Sequence, residues 1–203
     1  MKTGKPTLSS SLTNRISDDM KGKQIIVLMG ASGSGKTTIG IYLKELGIPE
    51  IISHTTRPKR EGEVDGVTYY YVTKEEFDKI DRIEEVQYQD HFYCISRNEI
   101  ENKFKTSDLL FVICDVNGME QVKANYPDQV TVIYLYISME EMEKRMRDRG
   151  DSEENIQKRL AYANATDELE NGKFADVMIE NTDLSNTKKI VLQTLKMKQT
   201  DCA

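Results

Sequence analysis

An α/β fold, with a parallel sheet covered by helices on both faces and a β-rich lobe inserted into it, is predicted by three features of the sequence. Short apolar runs, Gln24 to Met29, Glu50 to Ser53, Leu109 to Cys114 and Val130 to Ile137, are separated by helical text. That is the pattern of strands buried on both faces. Helix-start signals recur between the runs, and the block from Ser53 to about Lys105 replaces the rhythm with turn-rich strand text. A chain of 203 residues suits one domain with smaller lobes.

The first strand, Gln24 to Met29, runs directly into Gly30-Ala31-Ser32-Gly33-Ser34-Gly35-Lys36-Thr37, a G-x-x-x-x-G-K-[ST] motif without a gap. Glycines let the backbone curl so that successive N–H groups point inward, and the following helix turns its positive end toward the same point. Lys36 supplies a point charge for terminal phosphates, and Thr37 a hydroxyl for magnesium. A ligand-free glycine turn would not require Lys36 and Thr37 together. The helix from Thr37 to Leu46 stops at Gly47, with Pro49 beyond. Asp65-Gly66 predicts a hairpin turn between Glu63-Val64 and Val67 to Val72. Thr73 with Glu76 opens a short helix, and Ile83 to Ile95 reads as strand with a turn at Asp90-His91. Ser138 with Glu141 opens a helix over Met139 to Arg149, and Asp151 with Glu154 opens the next. Met139, Met142 and Met146 take helical spacing toward the core. A last helix spans about Asn186 to Lys198.

The charge balance narrows the partners. Thirty-four acidic residues against 28 Lys and Arg give a formal net charge of −6, which disfavours broad adhesion to nucleic acid or an anionic membrane. An anionic ligand must meet locally concentrated cations. Cys94, Cys114 and Cys202 lack metal spacing, and an odd count argues against a disulfide framework, so they read as reduced thiols of a cytoplasmic protein. No apolar run is long enough to span a bilayer. Residues 1–22 are polar and read as a mobile leader.

One loop supplies the cations. Three of the four residues from Arg57 to Arg60 are basic. Alone they would read as a solvated surface, but beside a phosphate cradle they read as a second anion site, since arginine clamps phosphate oxygens bidentately. The stretch Thr55-Thr56-Arg57-Pro58-Lys59-Arg60-x-Gly62-Glu63-Val64-Asp65-Gly66-x-x-Tyr69, downstream of Gly30 to Thr38, closely resembles the guanylate kinase family, and the similarity runs from about Gln24 to Leu195.

The resemblance implies a P-loop kinase that transfers a phosphoryl group from ATP to GMP or dGMP with Mg2+, as a monomer or homodimer. It implies a core over 23–52 and 106–203, an acceptor-binding lobe over 53–105 and a helical lid over about 145–160. The cradle from Gly30 to Thr38, with Asn181 at the adenine pocket, would hold ATP. Arg57, Arg60, Tyr69 and Tyr93 would clamp the acceptor phosphate, and Ser53, Glu84 and Asp115 would contact guanine. Asp115 is equally placed to serve the metal with Thr37. Arg145, Arg149 and Arg159 would join Lys36 at the transferring phosphoryl group. No protein nucleophile is needed, because a monophosphate oxygen is already anionic and catalysis becomes alignment and charge neutralisation. His54 and His91 have no triad-like setting.

The chain departs from the family at Cys94-Ile95-Ser96, where glycine and a hydroxyl residue commonly follow the tyrosine, and at Ile113, where an aspartate is common. The segment between Tyr69 and Glu84 is also short. Each hydrogen-bond partner lost from such a site relaxes selectivity by roughly 1–3 kcal/mol. A kinase of another nucleoside monophosphate or a ribose phosphate is therefore the alternative enzyme reading. A non-catalytic binding module fits less well with the intact cradle.

Overall fold

The computed structural model describes residues 22–88 and 90–200, and of 197–200 the backbone alone, so the polar leader and Cys202 lie outside the described residues. Among the described residues four parallel strands form a central sheet in the order β6-β1-β7-β8: β1 (Gln24–Gly30), β6 (Leu109–Ile113), β7 (Val130–Tyr136) and β8 (Val177–Glu180). Strand alternation sends Ile25, Val27 and Met29 to one face and Ile26 and Leu28 to the other. The first face packs on Met119 and Val122 of α4 (Val116–Asn125), the second on Ile39 and Leu43 of α1 (Lys36–Glu45) and Val191 and Leu195 of α7 (Leu184–Thr200). The predicted α/β core is therefore present, with both faces covered.

A second sheet, order β3-β2-β5-β4, is inserted between the first and second halves of the core. Its strands are β2 (His54–Thr55), β3 (Tyr70–Tyr71), β4 (Arg82–Tyr88) and β5 (His91–Ser96). Two short helices belong to it, α2 (Lys74–Phe77) and α3 (Arg97–Lys103). Asn125 on α4 donates to Ile83 O, and buried Glu99 on α3 accepts from Ile52 N at 3.0 Å and from the Tyr70 hydroxyl at 3.2 Å, so the lobe is hydrogen-bonded to the core.

On the far side of the cradle, α5 (Met139–Asp148) and α6 (Glu153–Ala165) pack Met142, Met146 and Ile156 against Ala31 and Ile137, which places their arginines beside the loop. A 3-10 helix, Glu168–Phe174, returns the chain to β8. No described helix is long and apolar enough to cross a membrane.

Five local expectations are corrected. Glu50 to Ser53 is not a full strand: Glu50 alone bridges Phe111, because the chain leaves the edge of β6 to enter the lobe. Asp65-Gly66 does not close a hairpin. Val64 N bonds the Thr68 hydroxyl and Asp65 accepts from Tyr71 N, so the loop folds on itself and β3 runs parallel to β2. Ser152, not Asp151, caps α6, its hydroxyl accepting from Asn155 N. The last helix starts two residues early, because Asp183 accepts from the amides of Ser185 and Asn186. His91 already lies in β5, opposite Tyr88.

Candidate active site

The cradle is a helix start left open. Thr73, Ser96, Asp115, Ser138 and Ser152 each cap the helix that follows them, whereas Gly35 stands before α1 with φ 96° and no side-chain cap. The first amides of α1 and its positive end thus remain for an anion. Space also demands glycine here: a Cβ at Gly35 would lie 2.3 Å from Asn181 Nδ2, and one at Gly30 2.4 Å from Leu135 O. Lys36 Nζ lies back across the loop, donating to Gly30 O at 2.7 Å and Ala31 O at 2.9 Å. Burial pulls its pKa down to about 8, Glu168 opposing and Arg159 and Arg149 adding to the fall. An arriving phosphate restores the charged form.

Three arginines surround this loop, and they are tied differently. Arg145 donates to Gly33 O, Asn181 O and Glu141, so it braces the cradle. Arg149 pairs with Asp151 and reaches Ser32 at 3.4 Å, and Arg159 pairs with Glu168 at 2.6 Å. Ser32, Thr37, Thr38, Arg145 and Arg149 line one cavity over the helix start. Asn181, expected at the adenine, is 4% exposed: its amide donates to Ser34 O and accepts from the Thr187 hydroxyl, both at 2.8 Å. Its side chain supports the cradle from beneath.

Across the cleft, Arg57 is buried and forked onto Glu63, with Nη1 and Nη2 at 3.0 and 2.7 Å, and the rings of Tyr69 and Tyr71 lie 5.6 and 5.8 Å from its guanidinium carbon. Glu63 also accepts from Arg60 N and the Tyr71 hydroxyl, and these donors hold its carboxyl down at about 2. The same pairing, with Tyr93, raises Arg57. The Arg60 side chain is exposed and carries no ion pair among the described residues. Ser53, Tyr69, Glu84, Tyr93 and Asp115 line a neighbouring pocket. Glu84 is 7% exposed there, and burial together with Asp115 lifts its carboxyl to about 7, against an opposing hydrogen bond from Ile95 N. Asp115 caps α4 through Gly118 N.

The two halves meet. Ile113, Cys114 and Asp115, at the end of β6, line both the acceptor-side pocket and the cavity that holds Gly30, Lys36, Arg159 and Glu168. The guanylate kinase profile matches residues 22–198. The chain belongs to the guanylate kinase family. It is 37% identical to the guanylate kinase of Helicobacter pylori strain ATCC 700392 / 26695 over 180 residues, covering 85% of this chain and 86% of that one. With the guanylate kinase of Prochlorococcus marinus subsp. pastoris it shares 34% identity over 184 residues, 86% and 97% of the two chains. The crystal structure of guanylate kinase from Anaplasma phagocytophilum superposes with a TM-score of 0.66 at 26% identity, covering 87% of this chain and 86% of that one.

Against the guanylate kinase pattern, the residues that differ now have locations. Ile95 is 1% exposed within the main core cluster and lines the pocket of Glu84 and Asp115, and the Ser96 hydroxyl caps α3, accepting from Glu99 N at 3.1 Å. The Ser96 hydroxyl is therefore committed to α3 and is not among the groups lining the Glu84 pocket. Cys94 and Cys114 are free thiols, and burial pushes both up, Cys94 to about 12. Two residues without a role in the motifs emerge: Glu63, the hub of the arginine loop, and Glu168, in the cavity with Lys36. Glu63 stands in the arginine loop beside Glu61 and Asp65, so its spacing alone does not single it out. Nothing local marks Glu168.

Proposed function

We propose that this chain transfers the γ-phosphoryl group of ATP to GMP, and to dGMP, yielding ADP and GDP. The observation that carries this reading is the shared wall: a cradle for phosphates and a carboxylate-lined pocket meet at Ile113, Cys114 and Asp115. Glu84 and Asp115 are acceptors, and guanine presents N1–H and an exocyclic amine as adjacent donors, a pair adenine lacks.

Each group then has a task. The amides of Gly30 to Thr38 and the Lys36 ammonium hold the β- and γ-phosphates of ATP, and Asn181 keeps the loop in shape. Arg57, Arg60, Tyr69 and Tyr93 hold the acceptor phosphate, and Ser53, Glu84 and Asp115 the base. Arg145, Arg149 and Arg159 neutralise charge on the transferring group as α5 and α6, the lid over about 145–160, close toward the acceptor lobe over 53–105. The ion of this reaction is Mg2+. Thr37 and Asp115 would offer it hard oxygens, each lining a cavity that also holds Lys36. Mg2+ suits such a sparse site because it keeps waters and substrate phosphates as ligands. When bound it neutralises charge on the β- and γ-oxygens. The enzyme is assigned to the cytoplasm, where its thiols stay reduced.

The test is ADP formation with ATP, Mg2+ and a panel of GMP, dGMP, AMP, CMP, UMP and ribose 5-phosphate. GMP or dGMP is expected to be preferred. Zero turnover by folded protein would sink the enzymatic reading, whereas preference for another acceptor sinks the guanine assignment alone. The apolar Ile113 in the base pocket favours a wider acceptor range as the second reading.

A further inference from the structure

Glu168 opens the 3-10 helix that follows α6, on a segment with no task in the mechanism above. Its backbone carbonyl accepts from the hydroxyl of Tyr134, on strand β7, at 2.8 Å, so its main chain is pinned to the core sheet. Its side chain enters the cavity that holds Gly30, Lys36 and Asp115. There Oε1 accepts from Arg159 Nη2 at 2.6 Å, while Oε2 is buried without a partner. A buried carboxylate oxygen without a protein partner is costly, so a donor that reaches it gains the full hydrogen bond. Among the described residues Glu168 is the one carboxylate paired with Arg159, which also lies over the Tyr162 ring and keeps a third of its side chain exposed.

We infer that Glu168 is a positioning residue for phosphoryl transfer: anchored to the core sheet, it holds Arg159 over the cradle and completes a two-bond carboxylate–guanidinium fork as α6 closes on the nucleotides. The inference rests on the kinase reading and deepens it. A carboxylate beside the phosphates would by itself repel them, so its gain must come through the arginine it orients. A guanidinium fixed along one edge directs the other edge, and a fork fixes direction better than a single bond. Orientation of this kind acts on the chemical step more than on ground-state binding. A bridge that merely joined α6 to the core would contribute stability and leave turnover per folded molecule unchanged.

The experiment is a double-mutant cycle on the full chain, reading kcat, both KM values and the melting temperature for wild type, Glu168→Gln, Arg159→Ala and the double variant. Glu168→Gln keeps the backbone bond to Tyr134 and the side-chain volume. It is expected to lower kcat about ten-fold with each KM changed by less than about two-fold, and to lower kcat less than about two-fold further once Arg159 is alanine. An unchanged kcat in Glu168→Gln, or a full second loss in the Arg159→Ala background, overturns the inference. Should Glu168→Gln not fold, Glu168→Asp enters the same cycle and is judged by the same coupling. Wild-type turnover of ATP and GMP keeps this failure distinct from failure of the kinase reading, which would show as no wild-type turnover.

Discussion

Replacing Glu84 by glutamine should make the protein more stable and the enzyme worse. The Glu84 carboxyl is lifted from 4.5 to about 7, first by burial and then by Asp115. The folded state therefore holds a proton that the unfolded chain releases near pH 4.5, and stability falls as pH rises from there through about 7. A shift of that size corresponds to about 3 kcal/mol of strain at pH 8. Glutamine is isosteric and uncharged, and its carbonyl can still accept from Ile95 N at the present 3.1 Å. Its amide adds donors in place of the second acceptor oxygen, so the net gain at pH 8 should be about 1–3 kcal/mol, vanishing near pH 4. Urea unfolding at pH 4, 6 and 8 reads this directly. The same change removes the second acceptor for guanine, so kcat/KM for GMP should drop about 10- to 100-fold with little change in KM for ATP. In the wild type, affinity for GMP should rise as pH climbs through about 7, where the empty site ionises, and the variant should lose that rise. A Glu84→Gln protein no more stable than wild type at pH 8 would refute the assigned strain. Unchanged GMP kinetics would remove Glu84 from the base pocket.

Other expectations follow from the same geometry. Lys36→Ala should cost at least about 100-fold in kcat with the fold retained, because its ammonium is the charge folded back across the cradle onto Gly30 O and Ala31 O; near-normal turnover would contradict it. Arg57→Lys should raise KM for GMP about ten-fold and leave ATP binding unchanged, since lysine cannot reproduce the fork now held by Glu63; titration calorimetry with each nucleotide separates the two. Asn181→Ala strands Ser34 O and the Thr187 hydroxyl, and should lower stability by about 1–3 kcal/mol and weaken ATP binding together, whereas a side chain that only touched adenine would leave the melting temperature alone. Ile95→Ser should destabilise the core by about 2 kcal/mol, because the side chain packs in the main cluster, and should raise GMP-over-AMP selectivity, because the same residue lines the Glu84 pocket; unchanged selectivity would show that a hydroxyl there does not reach the base.

The sequence by itself determined the cradle, the parallel core and the order of the two halves. Gly30, Gly35, Lys36 and Thr37 are contiguous, so their chemistry is written at fixed spacing, and buried strands such as Val130–Tyr136 announce themselves as apolar runs. The arginine loop was legible for the same reason, with Glu63 hidden only by being one acid among many. What tertiary structure decided are the contacts between segments distant in the chain. Asp65-Gly66 carries a strong hairpin signal, yet bonds from Tyr70 N to Ser53 O and from Val72 N to Thr55 O make β3 parallel to β2 instead. Asn181 lies beneath Gly35 because β8 neighbours β7, and Ile95 comes to line the Glu84 pocket because β5 pairs it with Glu84 on β4. Glu168 faces Lys36 only because the Tyr134 hydroxyl holds the 3-10 helix to the sheet. Local spacing encodes backbone shape and local charge, whereas burial, orphaned oxygens and shifted pKa values arise from what the folded chain brings beside each group.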